Sequence, residues 1–229
     1  MAKANKEADK LEGIEHALSR TERYIEENQK SLSIIAGAIV AAAAIYFGFN
    51  RFYLKPQEEK AQKQMYVAEQ YFERDSFRIA LQGQQGNYPG FLTIINEYGL
   101  TDAAKLAHYY AGICYKNMGN YTEAIEYLKK FSSKDKIISN IALGSIGDCY
   151  AQLGKTDDAI KYYERAANNV KNDFTSPLYF MRAGILLEDK GEFKEALEMY
   201  QHVQQDYYRS TEGQQIEKYI TRVKIKGNL

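Results

Sequence analysis

The sequence predicts an all-α protein in which one transmembrane helix near the N-terminus precedes a right-handed solenoid of helix pairs, closed by a C-terminal capping helix. Three observations predict it. Only Pro56, Pro89 and Pro177 interrupt the 229 residues, so long helices meet few breakers. Residues 32–49 form an uncharged apolar run. Residues 111–131, 146–166 and 183–203 align on one another without a gap, and self-similarity at a fixed period marks stacked repeats.

At 1.5 Å per residue the apolar run is about 27 Å long, close to the hydrocarbon thickness of a bilayer. Leu32, Ile34, Ile35, Ile39, Val40, Ile45, Phe47 and Phe49 favour insertion by roughly 2.4 to 4.8 kcal/mol in total. Tyr46, Phe52 and Tyr53 beside Arg51 and Lys55 have the composition of a helix end meeting headgroups, and Pro56 marks the exit. A polar tail, 1–31, precedes the run and no small-residue cleavage site follows it, which predicts an uncleaved anchor over 32–54. Flanking charges do not settle orientation, since Arg20, Arg23 and Lys30 face Arg51, Lys55, Lys60 and Lys63. Ser33, Gly37 and Ala41 form a small-residue stripe on which another transmembrane helix could pack. In the tail, Leu11, Ile14, Leu18 and Ile25 suggest a weak amphipathic helix.

The repeat has a physical reading at each shared position. Gly112, Gly147 and Gly184 fall within the first helix of each pair, where a missing side chain lets the second helix cross closely. Gly119, Gly154 and Gly191 fall in the turn, where a left-handed residue ends the helix. Ala124, Ala159 and Ala196 keep the second helix thin, and Tyr115 and Tyr150, with Leu187 in the third copy, fill the space between helices. Periods of 35 and 37 residues separate the copies. These positions resemble the tetratricopeptide (TPR) consensus, although its tryptophan and proline are missing. The resulting division is an exit helix and degenerate repeat with an insertion over 55–103, repeats over 104–138, 139–174 and 175–208, and a cap over 209–229 with an apolar stripe at Ile216, Tyr219, Ile220 and Val223.

Thirty basic residues balance thirty acidic ones, which removes the positive field of a nucleic-acid binder. His16, His108 and His202 are scattered, and no metalloprotease, redox, serine-hydrolase or phosphate-loop motif occurs, so neither catalysis nor a metal or cofactor is expected. The glycine-rich stretch 83–90 reads as a loop and Asn120-Tyr121-Thr122 as a turn. Cys114 and Cys149 occupy one place in successive copies, about 9–10 Å apart, which predicts free thiols.

Resemblance to TPR domains implies that first helices line the concave, partner-binding face. It would carry Tyr109, Ile113, Lys116 and Asn117 from the first copy, Asp148 and Gln152 from the second, and Met181, Ile185 and Glu188 from the third. Tyr109 and Ile113 stand where chaperone-tail clamps have lysine and asparagine, so that clamp is not expected. A mixed, fairly apolar groove suits an extended or helical protein segment. The order of parts, a tail ending in IEENQKSL (25–32), one span, a charged exit helix, then degenerate and regular repeats, resembles the YfgM family of bacterial inner-membrane proteins. That resemblance implies an ancillary subunit of the Sec translocon, with its N-terminus in the cytoplasm and its repeats in the periplasm. Its partners would be translocon membrane subunits, a membrane-anchored periplasmic chaperone and emerging unfolded secretory chains. The same parts could also build a passive scaffold of another envelope complex.

Overall fold

The computed structural model describes Tyr24 and residues 28–84 and 86–229. The amphipathic helix expected in the tail lies outside the described residues. The chain divides into two compact units, Met1–Pro56 and Gln57–Leu229.

In the first unit, helix α1 spans Gln29–Phe49 and buries none of its residues. It is long and apolar enough to cross a membrane. It passes into a five-residue π-helical turn, Asn50–Leu54, and the helical backbone resumes as α2, Lys55–Glu73. The widened turn ends two residues before Pro56. A proline inside a helix lacks the N–H donor and crowds the carbonyl one turn back, and a π-bulge is one way to absorb that defect without ending the helix.

The second unit is a solenoid of helix hairpins. Helix α2 turns at 74–76 into the short α3, Phe77–Gln82. Strands β1 (Gly83–Gln84) and β2 (Tyr88–Pro89) then pair antiparallel, Gly83 opposite Pro89, and lead into α4, Phe91–Glu97. The stretch expected as a loop is thus a pinched hairpin. Gly83 has φ +72°, and a Cβ there would stand 2.4 Å from the Gly90 nitrogen, so only glycine lets the two ends meet. Three regular hairpins follow: α5 (Asp102–Asn117) with α6 (Tyr121–Lys130), α7 (Lys136–Gln152) with α8 (Thr156–Asn169), and α9 (Ser176–Lys190) with α10 (Phe193–Asp206). A 3₁₀ turn, Gly213–Gln215, starts the capping helix α11, Ile216–Gly227.

The core is distributed, as neighbour-on-neighbour stacking requires. Ala61, Met65 and Ala68 of α2 pack with Leu81, Phe91, Ile94 and the inner stripe of α5. Ala124, Ile125 and Leu128 of α6 meet Ile146 and Cys149 of α7. Helices α8 to α11 share the largest cluster, closed by Ile216, Ile220 and Val223 of the cap. Side chains fix several helix ends. Asp135 accepts from the Ile137 and Ile138 N–H groups, both at 2.9 Å, to start α7. Thr101 accepts from Ala104 N–H at 3.1 Å, and Glu58 of α2 reaches the Asp102 N–H at 2.7 Å, so α5 is capped from two sides.

Candidate interaction surface

The glycines at shared positions are close-contact points. A Cβ at Gly112 would stand 2.5 Å from Leu128 Cγ, at Gly147 2.7 Å from the Tyr163 ring, and at Gly184 2.4 Å from Tyr200 Cε1. Each is the place where the second helix of its hairpin crosses the first. Gly119, Gly154 and Gly191 have φ between +72° and +82° with nothing near a notional Cβ, so their requirement lies in the backbone alone. Ala124, Ala159 and Ala196 are fully buried. Tyr115 stacks on Tyr127 at 5.1 Å and Tyr150 packs on Tyr162 at 5.4 Å. Gly144, by contrast, serves the contact between repeats: a Cβ there would fall 2.0 Å from the Tyr179 ring of the next first helix.

The first helices α5, α7 and α9 are joined by one carboxylate. Asp148 accepts from Lys116 Nζ of the preceding first helix at 3.1 Å, and its other oxygen accepts from Tyr163 OH at 2.8 Å and from Arg182 of the following one. Lys116 also donates to Ser145 Oγ at 3.4 Å. Two cations and one anion thus form a ladder across three copies, with the Arg182 guanidinium beside the Tyr163 and Tyr179 rings. The flanking positions are Asn117 and Gln152, both exposed, and Tyr109 and Ile185, half-buried. Arg182 was missed in the sequence because no copy shares a cation at its position. The signal available was that Lys116 and Asp148 already share this face, one residue out of line with Met181.

Three residues expected on this open face are elsewhere. Ile113 is buried in the cluster with Ile125, Leu128 and Ile146, and Met181 in the cluster with Tyr179 and Leu187. Both point between helices, because a first helix packs on its own partner and on the preceding repeat and so has a wide apolar face. Glu188 is also buried, its side chain 3% exposed, and is held by the cap. Its carboxylate accepts from Arg222 Nε at 2.8 Å and Nη2 at 2.7 Å, from Lys226 Nζ at 2.9 Å and from Tyr200 OH at 3.1 Å. Burial alone would raise its pKa, but the bonds from Arg222, Lys226 and Tyr200 outweigh that and hold the carboxyl at about 2. Glu188 is therefore the bolt of the capping helix and not a partner contact.

Ser33, Gly37 and Ala41 are all exposed on α1, with open space around Gly37. Cys114 and Cys149 are free and buried, and burial pushes their thiols up to about 12 and about 11. His108 packs against Tyr127 and His202 stacks on Phe180, each in a packing role. Among the described residues, no group of three or more His, Cys, Asp or Glu side chains could hold a metal ion.

Comparison with known proteins matches this geometry. Residues 111–174 match the tetratricopeptide repeat family model TPR_16. No curated protein sequence shows significant similarity to the chain. Among solved structures, a Podosopora anserina protein assigned to kinesin light chains, with nearly identical TPR-like repeats, superposes with a TM-score of 0.53. It is 11% identical, and the alignment covers 75% of this chain and 88% of that one. The MamA protein superposes with a TM-score of 0.52 at 18% identity, covering 74% of this chain and 90% of its own. The fold is a TPR-like solenoid, an architecture that serves as a protein-interaction module.

Proposed function

We propose that the chain is a membrane-anchored interaction module, held in a bacterial inner membrane by α1, which presents its solenoid to protein partners on the periplasmic side. Its place would be that of an ancillary subunit of the Sec translocon, meeting translocon membrane subunits, an anchored chaperone or emerging chains. The observation that carries this reading is the joining, in one chain, of an apolar helix of membrane length that buries none of its residues to an interaction solenoid. An exposed stretch of that size is costly in water and favourable in lipid. The order of tail, span, degenerate and regular repeats supports the translocon assignment through its likeness to the YfgM family. The partner face is the ladder with its flanks: Tyr109, Lys116, Asn117, Asp148, Gln152, Arg182 and Ile185. Since Lys116 and Arg182 already share Asp148, that face suits a mixed apolar and polar segment better than a strongly charged tail.

Photo-crosslinkers placed at Gly37 and Ala41 in the span, and at Asn117 and Gln152 on the ladder face, test the proposal in cells. Translocon subunits are expected from the span positions, and a chaperone or nascent secretory chain from the others. Consistent recovery of one unrelated envelope complex from both sets would replace this reading with that of a passive scaffold. Protease treatment of inverted and right-side-out vesicles tests the side: the repeats should be cleaved only when the periplasmic face is open.

A further inference from the structure

We propose that the edge of the solenoid at which the first helices begin is itself a lipid-contacting surface, entering the headgroup layer of the bilayer that holds α1. The inference rests on the anchoring reading above. Each connection that leads into a first helix, or into the cap, shows one large apolar side chain to solvent. Leu100 before α5 is 66% exposed, Ile137 at the start of α7 45%, Phe174 before α9 78% and Tyr208 before α11 60%. In the turns within hairpins the shared residue is instead glycine, flanked at the tip by Asn120, Lys155 and Glu192, and the large apolar side chain exposed there is Leu153, at 39%. Single exposed apolar residues are ordinary, but one at each successive connection on one edge is a pattern.

The connections form a continuous edge. A cleft lined by Asp102 and residues 131–135 joins the first to the second. Another, lined by 131–135, Asn169 and Val170, joins the second to the third. A third, lined by Asp173, Phe174 and 206–212, joins the third to the fourth. The same edge is where the chain enters the solenoid, because Glu58 is bonded to the backbone of Asp102 at 2.7 Å and of Ala103 at 3.2 Å. Only Lys55, Pro56 and Gln57 lie between Leu54, the end of the expected span, and Glu58. Even fully extended, those links reach about 14 Å, so covalent connection keeps the start of this edge near the bilayer. Within 99–102, 131–137, 170–175 and 207–213, four basic residues are matched by four acidic ones. The attraction is therefore apolar and aromatic insertion at the interface and not a polybasic attraction to anionic lipid.

The chain has no tryptophan, so single tryptophans report on chosen places. The test uses the full chain in zwitterionic lipid nanodiscs, with and without lipid brominated near the top of its acyl chains. The variants are I39W in the span, L100W and F174W on the edge, and N120W on the opposite edge. Emission from I39W, L100W and F174W is expected to fall with brominated lipid and to be indifferent to salt, while N120W is unchanged. If I39W is quenched but F174W is not, the edge proposal fails and the anchor stands. If I39W is unquenched, the anchoring reading itself fails. Quenching of L100W alone would reflect the short tether and would overturn the proposal. So would shielding of F174W from acrylamide without bromine quenching, which would mark a protein on that edge.

Discussion

At the scale of single residues, the repeat works by excluding side chains from some places and forcing charges together at others. Gly147 belongs to the first kind. In the variant G147V the new side chain meets the Tyr163 ring, and unfolding free energy is expected to fall by about 1–3 kcal/mol, checked by chemical denaturation. Glu188 belongs to the second. Its folded pKa lies below the ordinary carboxylate value, so its contribution is present above about pH 4.5 and is lost as pH falls towards 2. Thermal melts from pH 6 to pH 2 should show that loss in the natural chain, and E188Q should be less stable at pH 6 with a shallower slope. A charge at Ile113 or Met181 would be buried and would unfold the domain, so neither position can probe partner binding.

At the scale of elements, helix starts carry local determinants that each contribute modestly. Loss of the Asp135 cap in D135A is expected to lower stability by about 1 kcal/mol, measured by denaturant unfolding, with little change in helix content. Elements are also where the sequence was most legible. The hairpins could be aligned because close crossing and left-handed turns restrict a position to glycine, and that restriction leaves a periodic mark. The π-helical turn, the hairpin of two short strands at Gly83 and the reach of Glu58 to Asp102 leave none. They depend on backbone adjustments or on partners 44 residues apart. The ladder was half legible: Lys116 and Asp148 stand on the expected face, whereas Arg182, spaced from Asp148 in the repeat register as Asp148 is from Lys116, shows as a partner only when the third first helix is placed beside the second. Glu188 was misread for the same reason, since Arg222 and Lys226, 34 and 38 residues away, turn an apparent surface acid into a buried one.

At the scale of the molecule, stability is a sum over neighbours and fails first at an unprotected end. Removal of residues 213–229 would uncover Tyr200, Val203 and Glu188 and strip the carboxylate of Arg222 and Lys226. The truncated chain is expected to lose its cooperative melt and to bind a hydrophobic dye, whereas R222M with K226M should keep helix content but melt earlier. The Glu188 arrangement also bears on how such an array could change over generations. Duplicating the third repeat would set a second copy of α9, instead of α11, against the first Glu188. That helix would have to supply two new cations at once, or the acid would be stranded. Lengthening the array at this end by copying alone is thus opposed by one carboxylate, whereas a copy inserted upstream leaves the pairing of α9 with α11 intact.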